Sequence, residues 1–558
     1  MKQFLAFLLA LSCHCTFSQS QITETQKTES LIHIWGLLKY LHPEVSKGTF
    51  DFNKEFISEF DKLQTISTHE ELNSELKNWI KKFDLGKSKF KSNDMLLKTK
   101  DLFTQNTDFN WIGSSGFSTE LIESLNTIKN NGNYGDYYAS IPGLSHYPNF
   151  KNEKGMDGFD ANKKSHRTLL LSSFWNVMRY WNVNIYLTDQ KWDDVLTEMI
   201  PEFISDDNLT YQLAKDKLIT KLNDSHADFE SGYTLQKLLL KYPVFAGRVV
   251  NDSLVITTIR NKLLAKAVGI SPGDVIVAAE GKPLKQYIND KFANAISASN
   301  KGYLYSRTEK FLLLAGTKDS VSVSILKKDG STYTKYIKLY PNLPYTSETV
   351  ESLPQQKRGK WQKLTDEIGY INLAKITNSE LKLAFKEFEA TKGIVIDLRN
   401  YPGNILQELT RYLYPEKKVY IKVLNPLSPG YAKYNFESPL RIVGNPFAAG
   451  TTNKNYYKGK IVLLVDRATG SHGENIAMAI QQAPNCVTIG EQTMGAVMNR
   501  KAITLIDKTT VDYTFAGAFY PDDTRVQRNG IKIDHIVKES AKNYNPDLYI
   551  EEAIKILN

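Results

Sequence analysis

The sequence predicts a multidomain α+β protein with a helical N-terminal region, a small β-rich domain and a C-terminal α/β core on a mostly parallel sheet. Two changes of hydrophobic pattern carry this prediction. Near residue 242, helical spacing gives way to short β-branched runs between turn signals, and near residue 368 such runs begin to alternate with helices. A length of 558 residues accommodates several domains. We expect two helical parts (19–165 and 166–238), the β-rich domain (239–345) and the core (346–558).

The first residues have the layout of a secretory signal peptide. Lys2 precedes the apolar run 4–11, and small or polar residues follow up to Ser18. Cleavage is expected near Ser18–Gln19, which gives residues 1–18 as the leader. The pattern predicts export across the inner membrane to a bacterial periplasm or cell envelope. Lipidation of Cys13 is the alternative, although Ala10 occupies a position where such sites usually have Leu.

Composition disfavours several other classes. The net charge of +9 comes from 70 basic and 61 acidic residues spread along the chain, which disfavours a nucleic-acid partner. After the leader, no apolar run is long enough to predict a membrane span. Cys486 is the cysteine left once the leader is removed, so no thiolate metal site is expected, and we interpret it as a buried small hydrophobe. We expect no metal or other cofactor.

Two similar aromatic helices are predicted in the N-terminal half. Trp35 and Trp175 are 140 residues apart, as are Tyr40 and Tyr180, and an acidic amphipathic stretch follows each pair. Either an internal duplication or two unrelated amphipathic helices would give this pattern. Between them, 106–165 is rich in Gly, Asn, Ser and Tyr, which predicts a long surface excursion with little regular structure.

The β-rich domain centres on the segment 267–284, where a Pro-Gly-Asp turn leads into a strand and a second Gly turn. A sheet edge in such a domain can accept an extended peptide as an additional strand. A plain β-sandwich module is the alternative interpretation.

The C-terminal core shows strand-length apolar runs separated by helical stretches. The runs are 368–373, 393–398, 460–466 and 486–491. In parallel sheets the chemistry gathers at the carboxyl ends of strands. The candidate site therefore lies among 397–403, 466–474 and 491–495.

Ser471 is the candidate nucleophile at these strand ends. It follows a Gly-containing turn and begins an amphipathic helix, where free N–H groups suit an oxyanion. The same position suits a serine that caps the helix. Gly403, in a Pro-Gly turn after the preceding strand, either presents its N–H to the same crevice or forms an ordinary turn.

A serine hydroxyl needs a general base, and His226 is the candidate. Four of the nine histidines follow a serine, so the dipeptide alone is uninformative. His226 is distinguished by its context in the segment 221–229, after an amphipathic stretch and just before the β-rich domain. His472 adjoins the candidate nucleophile, so its backbone N–H is the more useful group.

Taken in order, the L-x-D-x-H segment at 222–226, the Pro-Gly-Asp turn and the segments 393–404, 465–475, 489–495 and 529–537 resemble the C-terminal processing peptidase family. Relatives of that family include the catalytic core of the tricorn protease. The resemblance implies a PDZ-like β domain and a ClpP/crotonase-like core. It also implies Ser471 as nucleophile in an S-x-x-E motif with Glu474, and an oxyanion hole from the backbone of Gly403 and His472.

One departure places the chain in a branch of the family. Processing peptidases carry a catalytic Lys directly after the motif that ends at Gly495, and here Ala496 follows. The tricorn-like branch instead uses a Ser-His pair, which Ser225 and His226 match. A later Glu completes the charge relay in that branch, and Gln527 occupies the corresponding position, where it can form hydrogen bonds but carries no charge.

The resemblance implies a serine endopeptidase that acts on proteins or peptides, and the leader pattern predicts that it is exported. One alternative is a relative that keeps the fold and binds peptides without cleaving them. Another is an envelope scaffold that captures partner peptides.

Overall fold

The computed structural model describes residues 21–86, 89–142, 147–229, 231–327, 329–341, 350–437 and 444–558. The expected leader, its cleavage point and Cys13 lie outside the described residues, as does the expected boundary at 345. Within the described part, helices and several sheets alternate, so the mixed, multidomain α/β class is confirmed.

The first helical part comprises six helices and one short strand. These are α1 Glu24–Leu41, α2 Phe52–Leu63, α3 His69–Lys81, α4 Asp94–Leu97, β1 Leu102–Phe103, α5 Trp111–Ser114 and α6 Thr119–Lys129. Thr23 begins α1 with a capping box closed by Gln26. The expectation of little regular structure over 106–165 is wrong at α6, because Leu121, Leu125 and Ile128 form a buried helical stripe.

The second helical part repeats the first. It comprises α7 Lys164–Trp181, α8 Trp192–Ile204 and α9 Asn208–Thr220. Both bounds of α7 lie 140 residues after those of α1. The Trp35 indole donates to the Phe52 carbonyl at 3.0 Å, and the Trp175 indole donates to the Trp192 carbonyl at 2.8 Å. The shared offset and the shared hydrogen bond favour an internal duplication over two unrelated helices.

The two repeats pack directly on each other through α1 and α7. Asn176 of α7 donates its side-chain amide to the Ile32 carbonyl of α1 at 3.0 Å. Gly36 lies against the same side chain, where an added Cβ would be 1.7 Å from Asn176 Oδ1. The absence of a side chain at Gly36 therefore allows the helices to approach.

The β-rich domain is an antiparallel seven-stranded sheet with its own core. Its strands are β2 Phe245–Val250, β3 Ser253–Ile259, β4 Val275–Ala279, β5 Lys282–Pro283, β6 Ser320–Leu326, β7 Thr332–Lys338 and β8 Glu351–Ser352. The order is β2-β3-β4-β6-β7, with β5 on β4 and β8 on β3. Three helices accompany the sheet: α10 Lys262–Val268, α11 Leu284–Phe292 and α12 Lys301–Thr308.

The C-terminal core holds a six-stranded sheet in the order β21-β17-β16-β11-β10-β9. Its strands are β9 Trp361–Thr365, β10 Ile368–Asn372, β11 Gly393–Asp397, β16 Lys460–Val465, β17 Cys486–Gly490 and β21 His535–Ile536. All neighbouring pairs are parallel except β9 with β10. The helices are α13 Asn378–Glu387, α14 Leu406–Leu413, α15 His472–Ile480 and α16 Leu548–Leu557.

Both faces of this sheet are buried, which explains its continuously apolar strands. On β11, Ile394 and Ile396 belong to the large core shared with the helices, whereas Val395 packs on the opposite side in the cluster that includes Ile550 of α16. The carboxyl ends of β11, β16 and β17 consequently meet at one edge of the sheet.

Three smaller sheets complete the core. One has the order β1-β14-β13-β20, with β13 Lys422–Ser428, β14 Tyr431–Asn435 and β20 Gly517–Phe519, and it joins the first helical part to the core. The others are the pair β12 Lys418–Val419 with β15 Ala448–Ala449 and the hairpin β18 Arg500–Thr504 with β19 Thr510–Thr514. The hairpin ends at Thr514, which lies in the candidate site.

Candidate active site

Ser471 lies at the amino end of α15, after β16 and its turn. Its backbone has φ 53° and ψ −122°, a conformation that costs a non-glycine residue about 1–3 kcal/mol. Its side chain makes no capping hydrogen bond to the helix. Helix capping therefore does not explain this serine, and its half-buried hydroxyl remains available.

Around Ser471, some backbone N–H groups are hydrogen-bonded and one is free. The Ser471 N–H donates to the Ala496 carbonyl at 3.0 Å, and the Gly473 N–H donates to the Gly470 carbonyl at 2.9 Å. Among the described residues, no acceptor is found for the His472 N–H, as expected in the first turn of a helix. This N–H is therefore free to bind an anion.

Gly403 does not have the free N–H expected from its sequence context. The structure directs this N–H to the Leu373 carbonyl, at a long 3.4 Å. The turn after β11 folds back over the end of β10, where Leu373 supplies an acceptor, and the oxyanion role of Gly403 stays a prediction. An oxyanion could receive this N–H only in exchange for that long bond.

Glu474 connects Ser471 to the loop after β17. Its fully buried carboxylate accepts from the Thr493 hydroxyl at 2.6 Å and from the N–H groups of Gly495 at 2.7 Å and Ala496 at 3.0 Å. Burial raises the pKa of Glu474 to about 7, against the lowering effect of these hydrogen bonds. The carboxylate fixes the strip Met494–Ala496 beside the nucleophile.

His226 lies in the turn that follows α9 and is buried. Its Nδ1 lies 3.0 Å from the Thr514 hydroxyl, and its backbone N–H donates to Asp224 Oδ1 at 3.1 Å. Burial lowers the pKa of His226 from its usual value and Arg500 lowers it further, whereas Asp224 and Asp512 raise it. The imidazole is therefore kept neutral and able to act as a base.

Ser225 is bound in a backbone contact rather than to the imidazole. Its hydroxyl donates to the Met494 carbonyl at 3.0 Å and accepts from the Ser299 N–H at 2.9 Å. The candidate catalytic role that the sequence gives it stays a prediction. In the structure it anchors the histidine segment to the strip Met494–Ala496.

The strip Met494–Ala496 is where two distant stretches of chain converge. Its Met494 carbonyl accepts from Ser225, next to His226, and its Ala496 carbonyl accepts from the Ser471 N–H. On the nucleophile side, a Cβ on Gly470 would be 2.3 Å from Met494 Sδ. The His226 segment, through Ser225, and Ser471 are thus attached to the same three residues. Ala496, at the position where processing peptidases carry a catalytic Lys, is fully buried.

Gln527 is buried and reaches the same network. Its amide donates to Asp224 Oδ1 at a long 3.5 Å, while its Oε1 is buried without a hydrogen-bond partner in the described chain. Gln527 therefore contacts the histidine segment through Asp224.

Sequence reasoning missed three participants in this network. Asp224 belongs to the L-x-D-x-H segment, so its spacing was the available signal. Thr514 and Ser299 lie 288 and 74 residues from their partners in the segment, and no local pattern marks them.

Three further findings bear on the sequence expectations. Among the described residues, no cluster of three or more His, Cys, Asp or Glu could hold a metal ion. In that same part of the chain, none of the helices is both long and apolar enough to cross a bilayer. Burial raises the pKa of the Cys486 thiol to about 12.

A strained serine at a helix N-terminus and a buried neutral imidazole, whose segments contact the same strip, are the residue types that a serine-type hydrolase requires. Residues 367–537 match the model of peptidase family S41. This match confirms the resemblance to the C-terminal processing peptidases over that part of the chain.

Curated relatives agree with this assignment. The carboxyl-terminal-processing protease of Synechocystis sp. is 23% identical over 283 residues, which is 49% of this chain and 57% of the relative. The carboxy-terminal processing protease CtpB of Bacillus subtilis is 21% identical over 314 residues, which is 55% of this chain and 57% of CtpB. The chain therefore spans little more than half the length of these relatives.

A solved structure shares the fold. The structure of mature CPAF complexed with lactacystin aligns with a TM-score of 0.53 at 12% identity. The alignment covers 69% of this chain and 96% of CPAF. At this identity the likeness concerns the fold alone.

Proposed function

We propose that the chain is an exported serine endopeptidase that cleaves proteins or peptides through an acyl-enzyme on Ser471, with His226 as the general base. One observation carries the proposal: Ser471 has a strained backbone and an uncommitted hydroxyl, and it is attached to the same strip as the His226 segment. A serine held for helix capping or packing would need neither the strain nor the free hydroxyl.

The chemistry follows from these two side chains. Nε2 of His226 takes the Ser471 hydroxyl proton as the Oγ–C bond forms and the carbonyl electron pair moves onto oxygen. The C–N bond then breaks, and the imidazolium gives its proton to the departing amine. Water repeats the sequence on the acyl-enzyme and releases the acid.

The oxyanion is assigned to the amino end of α15. The free His472 N–H lies beside Ser471, where the helix dipole also favours negative charge. Gly403 would become the second donor by exchanging its 3.4 Å bond to Leu373 for the oxyanion. Two such donors would stabilise the tetrahedral intermediate without a metal ion.

The other domains support an extended polypeptide substrate. We assign 239–345 as a PDZ-like domain on the basis of its antiparallel sheet and accompanying helices, with the helical parts at 19–165 and 166–238 and the catalytic core at 346–558. An exposed sheet edge of this kind can add a peptide as a further strand. The leader pattern at 1–18 supports export to the bacterial envelope.

A serine-reactive fluorophosphonate probe tests the proposal. We expect covalent labelling of the wild type, none of Ser471→Ala, and full labelling of Ser379→Ala, which removes an exposed serine on α13. Mass spectrometry of unfolded protein substrates should show peptide products that disappear in Ser471→Ala. Labelling that persists in Ser471→Ala would remove this serine from the mechanism. A folded wild type that neither labels nor cleaves would favour the peptide-binding alternative.

A further inference from the structure

A buried chain of hydrogen bonds extends from the imidazole to a carboxylate. His226 Nδ1 lies 3.0 Å from Thr514 Oγ1, and Thr514 Oγ1 lies 2.8 Å from Asp224 Oδ1. We propose that Asp224, acting through the Thr514 hydroxyl, is a positioning residue that fixes His226 as the tautomer with its lone pair on Nε2. The inference rests on the proposed function, because it concerns the base of that mechanism.

The Asp224 carboxylate is held as an acceptor by the backbone. Its Oδ2 accepts from the Thr514 N–H at 2.6 Å, and its Oδ1 accepts from the His226 N–H at 3.1 Å. The Gln527 amide adds a donor at 3.5 Å. Several N–H donors directed at one carboxyl group favour its role as a hydrogen-bond acceptor towards Thr514 as well.

The Thr514 hydroxyl then determines the tautomer. A threonine hydroxyl has a single proton, and the carboxylate 2.8 Å away can only accept it. The oxygen of Thr514 therefore presents a lone pair to His226, and Nδ1 must be the protonated nitrogen. Nε2 is left without a proton, which is the state that a general base requires.

The chain of hydrogen bonds also transmits charge. When His226 accepts the serine proton, the imidazolium strengthens its bond to Thr514, and the hydroxyl dipole connects it to the negative charge of Asp224. Asp224, Thr514 and His226 are all buried, so water does not screen this interaction. The other charged groups facing the imidazole, Arg500 and Asp512, act in opposite directions and leave Asp224 as the oriented partner.

The hairpin β18–β19 makes this arrangement possible. Its last strand ends at Thr514, and the Asp512 N–H donates to the Asp228 carbonyl at 3.2 Å, which aligns the strand with the histidine segment. The Thr514 hydroxyl therefore comes from the C-terminal core, although His226 and Asp224 come from the helical part.

Nitrogen-15 NMR of the imidazole tests the tautomer without requiring catalysis. In Ser471→Ala, and in Ser471→Ala with Thr514→Ser, we expect the His226 shifts of a protonated Nδ1 and a bare Nε2. With Thr514→Val, which keeps the shape but removes the hydroxyl, we expect a mixture of tautomers. A protonated Nε2 in Ser471→Ala, or an unchanged tautomer in Thr514→Val, would overturn the proposal.

Kinetics on the Ser471-containing protein give the second readout. We expect Thr514→Val and Asp224→Asn to lower kcat/KM by about a hundredfold with an altered pH profile, whereas Thr514→Ser keeps it within about threefold. Equal activity of the Val and Ser variants would contradict a positioning role. If the wild type is inactive while the NMR result holds, the proposed function fails and the tautomer assignment stands.

Discussion

Ser225 and Ser299 exchange hydrogen bonds across the boundary between the helical part and the β-rich domain. The Ser225 N–H donates to Ser299 Oγ at 3.0 Å, and the Ser299 N–H donates to Ser225 Oγ at 2.9 Å. Each hydroxyl then donates to the strip beside the nucleophile, Ser225 to the Met494 carbonyl and Ser299 to the Gly495 carbonyl. The serine pair thus joins three separate segments of chain at the candidate site.

Removing either hydroxyl of this pair should destabilise the protein and weaken the link to the strip. We expect Ser225→Ala and Ser299→Ala each to cost about 1–2 kcal/mol, with a coupling of about 1 kcal/mol in the double variant. Ser352→Ala is the matched control, because its hydroxyl shares an exposed hydrogen bond with Thr258. Urea unfolding of all four variants measures these values, and additive effects at Ser225 and Ser299 would contradict the coupling.

The backbone strain at Ser471 predicts that glycine is more stable than alanine at this position, the reverse of the order in a helix. At φ 53° an alanine remains strained while glycine does not, so Ser471→Gly should be more stable than Ser471→Ala by about 1 kcal/mol. Ser124 in the middle of α6 gives the opposite control, since glycine there should be less stable than alanine by about 1 kcal/mol. Chemical unfolding of the four variants gives the comparison. The same order at both positions would show that Ser471 is not strained.

The contact between Gly36 and Asn176 predicts a compensating pair of substitutions. Gly36→Ala should cost more than about 2 kcal/mol, because its new methyl group overlaps the Asn176 side chain. Adding Asn176→Ala should recover at least about 1 kcal/mol of that loss, although Asn176→Ala alone is destabilising through its lost bond to Ile32. Thermal unfolding measures the cycle. If the two losses simply add, the repeats do not meet at this point.

Patterns within one element were readable from the sequence. The apolar runs of the core gave the positions of β10, β11, β16 and β17, since a strand buried on both faces has no polar alternation. The offset between Trp35 and Trp175 likewise reflects helices of equal bounds. The helix α6 was missed because glycine and asparagine dominate its surroundings.

Contacts between distant elements could not be predicted from the sequence. Sequence placed Ser471 and His226 as candidates, but the strip Met494–Ala496 that both segments contact follows from the packing of β17 and its loop. Thr514 reaches His226 across 288 residues and only because a hairpin ends there. The bond from Gly403 to Leu373 depends on how two neighbouring strand ends fold over each other.

The buried side chain of His42 should make the folded protein less stable in mild acid. It follows α1, and its buried Nδ1 accepts from the N–H groups of Glu44 at 3.3 Å and Val45 at 3.4 Å. Burial lowers the pKa of His42 to about 4, with Asp84 and Glu44 acting in the opposite direction. In the unfolded chain, the pKa of this histidine returns to about 6.5. The unfolded state therefore binds more protons between these values, and the contribution of His42 is full above pH 6.5 and declines as the pH falls towards 4.

The variant His42→Asn isolates this effect, because an asparagine oxygen can accept the same two N–H groups without titrating. Between pH 7 and pH 4, the free energy of unfolding of the wild type should fall relative to the variant by about 2–3 kcal/mol. Measuring the difference at each pH cancels the titration of Glu59, a carboxyl group whose pKa burial raises to about 7. Urea unfolding followed by tryptophan fluorescence gives both curves. Parallel curves across this range would mean that His42 is protonated as easily in the folded protein as in the unfolded chain.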